Sequence, residues 1–126
     1  KTNIMAQANL VQKKVRMGHR DIIKYQLVTH CFINNIQLSN NELDCLTLLG
    51  VSGENELSAF CNLSVDEKIF KTSQTVRNFL GKAVKNKLVY KTGTAKKRIG
   101  LGKSLSIQTD GNIVLDFKLV YATKKQ

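Results

Sequence analysis

The chain has 126 residues, one domain's worth, enough to bury about two-thirds of the unfolded surface in a single core. Lys and Arg total 20 against 9 Asp and Glu, a net charge of +11, where roughly 2–8 is ordinary for a small domain. That excess points to an anionic partner, with nucleic acid first and an acidic protein surface or anionic membrane after it; the 42% hydrophobic content argues against a disordered basic tail.

In chain order, Asn3 to Arg16 place Ile4, Ala8, Val11 and Val15 at helical spacing, which predicts an amphipathic helix. Residues 1–20 then form an N-terminal helix or basic arm carrying Lys13, Lys14, Arg16 and Arg20. These residues make a DNA-contacting arm or a surface-lying helix; the apolar face beside them is short, which argues against membrane binding. No run reaches 18 apolar residues, so no transmembrane helix is expected, and Lys1 to Met17 lack the apolar run of a signal peptide.

From Ile23 the pattern alternates. Ile23, Tyr25, Leu27, Thr29, Cys31 and Ile33 fall on one side, which predicts a β-strand over residues 22–33. Ser39 and Glu42 then make a capping box, with Leu38 and Leu43 as its hydrophobic staple. The helix that follows carries Leu43, Leu46 and Leu49 on one face and is expected to end at Gly50. A short helix is expected over roughly Glu54 to Asn62, then a second capping box at Ser64 to Glu67 before a turn through Ile69 and Phe70.

Thr72 or Ser73 caps the next helix. Val76, Phe79, Leu80, Ala83 and Val84 fall at core spacing, and the other face carries Gln74, Thr75, Arg77, Asn78, Lys82, Lys85 and Asn86. Two short strands are expected, Leu88–Lys91 and Arg98–Leu101, joined by a tip over Thr92–Lys97. Asp110-Gly111 signals a second hairpin within residues 105–121, whose last strand puts Ile113, Leu115, Phe117, Leu119 and Tyr121 on one face. That strand is expected to pair with residues 22–33. Gly100 and Gly102 read as bends or bulges in the sheet.

The charge is sorted along the chain. Asn34 to Glu67 carries six acids and no basic residue; Lys68 to Thr109 carries eleven basic residues and no acid. One basic face follows, set against an acidic back. Glu42 and Asp44 are expected to point away from the partner.

Helix, short helix, basic helix and basic hairpin in that order resemble the winged helix-turn-helix superfamily over residues 38–101. The resemblance implies a winged helix-turn-helix core, and the pairing of the long N-terminal strand with the C-terminal strand, expected from their alternation, extends it into a larger α+β fold. It implies DNA binding, operator-type or independent of sequence. Gln74 and Asn78 would read base edges and Arg77 guanine or phosphate. Thr72, Ser73, Gln74 and Thr75 would present helix-start amides to a phosphate. Lys82, Lys85, Lys96, Lys97 and Arg98 would hold the backbone.

A second likeness covers the whole chain: Leu38-Ser39-x-x-Glu42-Leu43, then Ser73-Gln74-Thr75-Val76-Arg77-Asn78, then Ile113-x-Leu115-x-Phe117-x-Leu119. These are similar to small proteins of tailed Bacteroidota phages, including crAss-like phages, some of them virion components. That likeness implies a structural phage protein of a neck or tail ring or the capsid, a homo-oligomer whose basic face meets acidic neighbours. The expected location is the cytoplasm of a bacterial or phage-infected cell, or else the virion.

The plainer readings are few. A basic helix can be merely solvated, although like charges on one helix repel by a few tenths of a kcal/mol per pair. Gly102-Lys103-Ser104 resembles the end of a phosphate loop, but Lys97 stands where that motif needs Gly. His19 and His30 are not placed to pair. Cys31, Cys45 and Cys61 are spaced 14 and 16 apart, which suits buried free thiols in a reducing compartment better than a disulfide or zinc site. No nucleophile–base pair or carboxylate pair falls together. The expectation is no enzyme, no metal, no cofactor and no membrane partner.

Overall fold

The computed structural model describes residues 18–108. The expected helix Asn3–Arg16 with Lys13, Lys14 and Arg16, the Asp110-Gly111 turn and the strand Ile113–Tyr121 lie outside the described residues. Within them the chain is α+β. It has helices α1 (His19–Ile33), α2 (Asn40–Ser52), α3 (Leu57–Asp66) and α4 (Ser73–Lys85), and strands β1 (Asn55–Glu56), β2 (Val89–Thr92) and β3 (Arg98–Leu101).

Residues 22–33 are helical, not a strand. Ile23, Leu27 and Cys31 are buried one above another, and spacings of four and eight satisfy a helical face and an alternating one alike. The residues between them decide. Tyr25 is 55% exposed and Ile33 72% exposed, whereas a strand would bury both with Leu27. The helix also recovers backbone hydrogen bonds locally, and its buried stripe packs along α2. The helix closes with Ile36 N donating to Cys31 O at 2.8 Å and Asn35 N to Phe32 O at 3.3 Å, with Asn35 at a left-handed φ of 56°. This is a Schellman closure.

The same closure ends α3 and α4. Ile69 N donates to Ser64 O at 3.0 Å, and Leu88 N to Ala83 O at 2.9 Å. Lys68 and Lys87 take the left-handed position at φ 62°. In all three cases the next residue is apolar (Ile36, Ile69, Leu88) and packs into or against the core. Ser64 is therefore the buried last turn of α3 rather than the start of a new capping box. Its hydroxyl lies 3.9 Å from Cys45 Sγ.

The capping box of α2 forms as expected. Ser39 Oγ accepts from Glu42 N at 3.2 Å, and Ser39 N donates to Glu42 Oε1 at 2.9 Å. The end of α2 differs. The helix runs through Gly50 to Ser52, and Gly53 at φ 78° is the cap. Gly50 lies where α2 meets its neighbours: a Cβ there would fall 2.8 Å from Ile23 Cγ2 and 2.9 Å from Leu101 Cδ1. The short helix begins at Leu57 instead of Glu54, because Asn55 and Glu56 are taken as a strand.

β3 is the middle strand of an antiparallel sheet ordered β1-β3-β2. Asn55 faces Ile99, and Tyr90 faces Gly100. A Cβ on Gly100 would fall 2.7 Å from Tyr90 Oη, so the bare glycine makes room for the tyrosine ring. After β3, a turn of 3-10 helix (Lys103–Leu105) leads to Gln108, which exchanges two hydrogen bonds with Gln26 of α1 at 2.7 and 2.8 Å.

The core is built from all four helices and the β2–β3 hairpin: Ile23 and Leu27 of α1, Leu46 and Leu49 of α2, Phe60 of α3, Val76 and Leu80 of α4, with Leu88, Val89 and Ile99. All three cysteines are buried free thiols. Burial pushes the Cys45 thiol up to about 12.

Candidate nucleic-acid interface

Thr72 caps α4 by accepting from Thr75 N at 3.2 Å, and its hydroxyl also meets Thr75 Oγ1 at 2.9 Å. One of the helix-start amides expected to face a phosphate is thus held by its own cap. The apolar stripe Val76, Phe79, Leu80 and Ala83 is buried. This rotates the opposite line, Gln74, Asn78, Gly81 and Lys85, outward. Gln74 Nε2 donates to Asn78 Oδ1 at 2.9 Å, so these two amides form one unit on the surface.

Flanking residues lean to either side. Arg77 donates to Ser58 Oγ on α3 at 3.0 Å. Lys82 Nζ lies 3.7 Å from Glu42 Oε2 on α2. Glu42 therefore serves the α2 cap with one oxygen and faces α4 with the other, contrary to the expectation that it points away. Asp44 does turn elsewhere, to Lys24 of α1 at 3.1 Å. Both pairs are partly exposed and worth about 0–1 kcal/mol each.

The β2–β3 tip is a tight turn. Gly93, Ala95 and Lys96 all have positive φ, and Thr94–Lys96 form one turn of 3-10 helix. Lys96, Lys97 and Arg98 are exposed. Lys97 O accepts from Leu57 N at 2.7 Å, which fastens the tip to the start of α3. Arg98 is tied down: its Nε donates to Glu54 Oε1 at 3.1 Å and a terminal nitrogen to Glu54 O at 3.3 Å. Tyr90 OH donates to Glu54 Oε2 at 2.7 Å, and Lys103 Nζ sits 5.3 Å over the Tyr90 ring. The hydrogen bond from Tyr90, then that from Arg98, holds the Glu54 carboxyl below its ordinary value, and the same contact raises the Tyr90 hydroxyl.

The predicted residues thus divide. Gln74, Asn78 and Lys85 share one outward line on α4, with Ser73, Thr75, Arg77 and Lys82 beside it. Lys96 and Lys97 share the tip, whereas Arg98 braces its base. Arg20 lies in the first turn of α1, which packs on α2 rather than on α4. Glu54, Tyr90, Lys103, Ser58 and Glu42 were not expected to organise this surface. The only sequence signal was that Glu54 sits in the acidic block and Arg98 in the basic one. His19 is in the first turn of α1 and His30 in its last.

Among the described residues, no group of three His, Cys, Asp or Glu is placed to hold a metal, and no helix is long and apolar enough to cross a membrane. Comparison of the chain with family models, curated proteins and solved structures finds no match.

Proposed function

We propose that residues 38–101 form a winged helix-turn-helix and that the chain binds DNA through α4 and the β2–β3 tip. The fold reading is supported by the element order: helix α2, strand β1, helices α3 and α4, strand β2, tip, strand β3, with β3 between β1 and β2. The observation that carries the DNA reading is the outward surface of α4 with the tip. Every charged side chain borne by α4 and the tip is a cation; Glu42 and Glu54, from outside them, hold Lys82 and Arg98, while Lys85, Lys96 and Lys97 stand outside the three ion pairs of the described residues. Phosphate contacts supply the affinity, and the Gln74–Asn78 pair is the group able to meet base edges.

Binding is tested by fluorescence anisotropy on duplex DNA across a salt series. Lys85, Lys96 and Lys97 alone give a log–log slope near about −2.7, and release of Lys82 and Arg98 from their carboxylates extends it to about −4.5, at about −0.9 per contact. No binding to any duplex at low salt overturns the reading.

A second reading, a homo-oligomeric virion component, is favoured by one observation. Tyr25, Val28, Phe32 and Ile33 of α1 are exposed apolar side chains among the described residues, the kind of surface that assembly covers. Mass measurement in solution and in purified particles tests it. A monomer absent from particles overturns it.

A further inference from the structure

Gly81 lies inside α4 with helical backbone, and a Cβ placed on it would meet no atom within 4 Å. The other glycines of the described residues each have an internal reason. Gly50, Gly100 and Gly102 have neighbours that a Cβ would strike, Gly53 and Gly93 have positive φ, and Gly18 precedes α1. Nothing inside the fold asks for glycine at 81, and a helix interior is where glycine serves worst apart from proline. The remaining physical use of a missing side chain is to let an outside backbone come close.

The surroundings say what kind of backbone. Gly81 stands in the outward line between Asn78 and Lys85, one turn from each. Arg77, Lys82 and Lys85 lie within one turn of it, and α4 carries no acid. The notch is thus a bare stretch of helix with three cations around it, one of which, Lys82, is shared with Glu42 of α2, and it is complementary to a chain of phosphates. We propose that Gly81 is the point of closest approach between α4 and the sugar–phosphate backbone of duplex DNA, its missing side chain setting how deeply the helix seats. This rests on the DNA-binding reading above and adds to it the contact point.

The test is a size series, Gly81→Ala and Gly81→Leu, read by thermal midpoint and by anisotropy on one duplex at fixed salt. Alanine raises the midpoint by roughly 3–5 °C, since it favours the helix and strikes nothing. It nevertheless weakens duplex binding about 3–10-fold, and leucine weakens it further. Stability and affinity move in opposite directions, which a merely structural role for Gly81 would not produce. If wild type binds duplex and both variants bind within about 2-fold of it, the contact point is overturned while DNA binding stands. If wild type binds no duplex but binds an acidic peptide, the DNA reading falls and this inference falls with it.

Discussion

Glu54 is the residue on which the tip turns. It accepts from Tyr90 and from Arg98, so the charged carboxylate is the form the fold favours. A group whose pKa is lowered on folding stabilises the fold above its unfolded value, and that contribution is lost as pH falls through the lowered value. The expected outcome is that Glu54 titrates below its ordinary range by carboxyl NMR, and that Tyr90→Phe and Arg98→Ala each move it upward. Glu54→Gln should keep the shape and flatten the acid limb of the stability curve. An unchanged acid limb would mean that the tip is held by backbone contacts alone, such as Lys97 O to Leu57 N. None of this was legible from the sequence, where Glu54 and Arg98 stand 44 residues apart.

At the scale of the element, α1 shows how two periodicities share one set of residues. Ile23, Leu27 and Cys31 fit either, and β-branched and aromatic neighbours tilt the local preference to a strand. Packing against α2 overrides it, because a helix buries those three and leaves Tyr25, Phe32 and Ile33 outside. Truncation separates the two arrangements. Leu27→Ala should cost about 2–5 kcal/mol as a buried large-to-small change, while Ile33→Ser should stay within about 0.5 kcal/mol. Equal losses in urea unfolding would return the strand. By contrast, the start of α4, its apolar stripe and its polar face were legible, since the cap is a contact within three residues and the stripe follows the helical period. The ends of α1, α3 and α4 were not, since Asn35, Lys68 and Lys87 hold the left-handed position usually left to glycine.

For the whole molecule the +11 charge acts in two directions. Self-repulsion of a strongly charged fold lowers its stability, and salt screens it. Salt also removes the counterion gain of binding phosphate. Going from about 0.05 M to about 0.2 M salt should therefore raise the thermal midpoint while weakening duplex binding. A midpoint that falls with salt would mean that attractive pairs such as Arg98–Glu54 outweigh the repulsion.

The sequence by itself determined what depends on near neighbours: the α2 capping box, the start and buried stripe of α4, the bounds of β3, and the sorting of acids and bases into blocks. Only the tertiary structure decided whether residues 22–33 coil or extend, that Gly50 is a crossing point rather than a stop, that Ser64 closes a helix, and that Glu42 and Glu54 turn toward cations of the basic block. The physical reason is the same in each case. A cap or an amphipathic stripe is satisfied within a turn or two of chain, whereas an ambiguous face, a close approach or an ion pair is settled by the partner that folding brings to it.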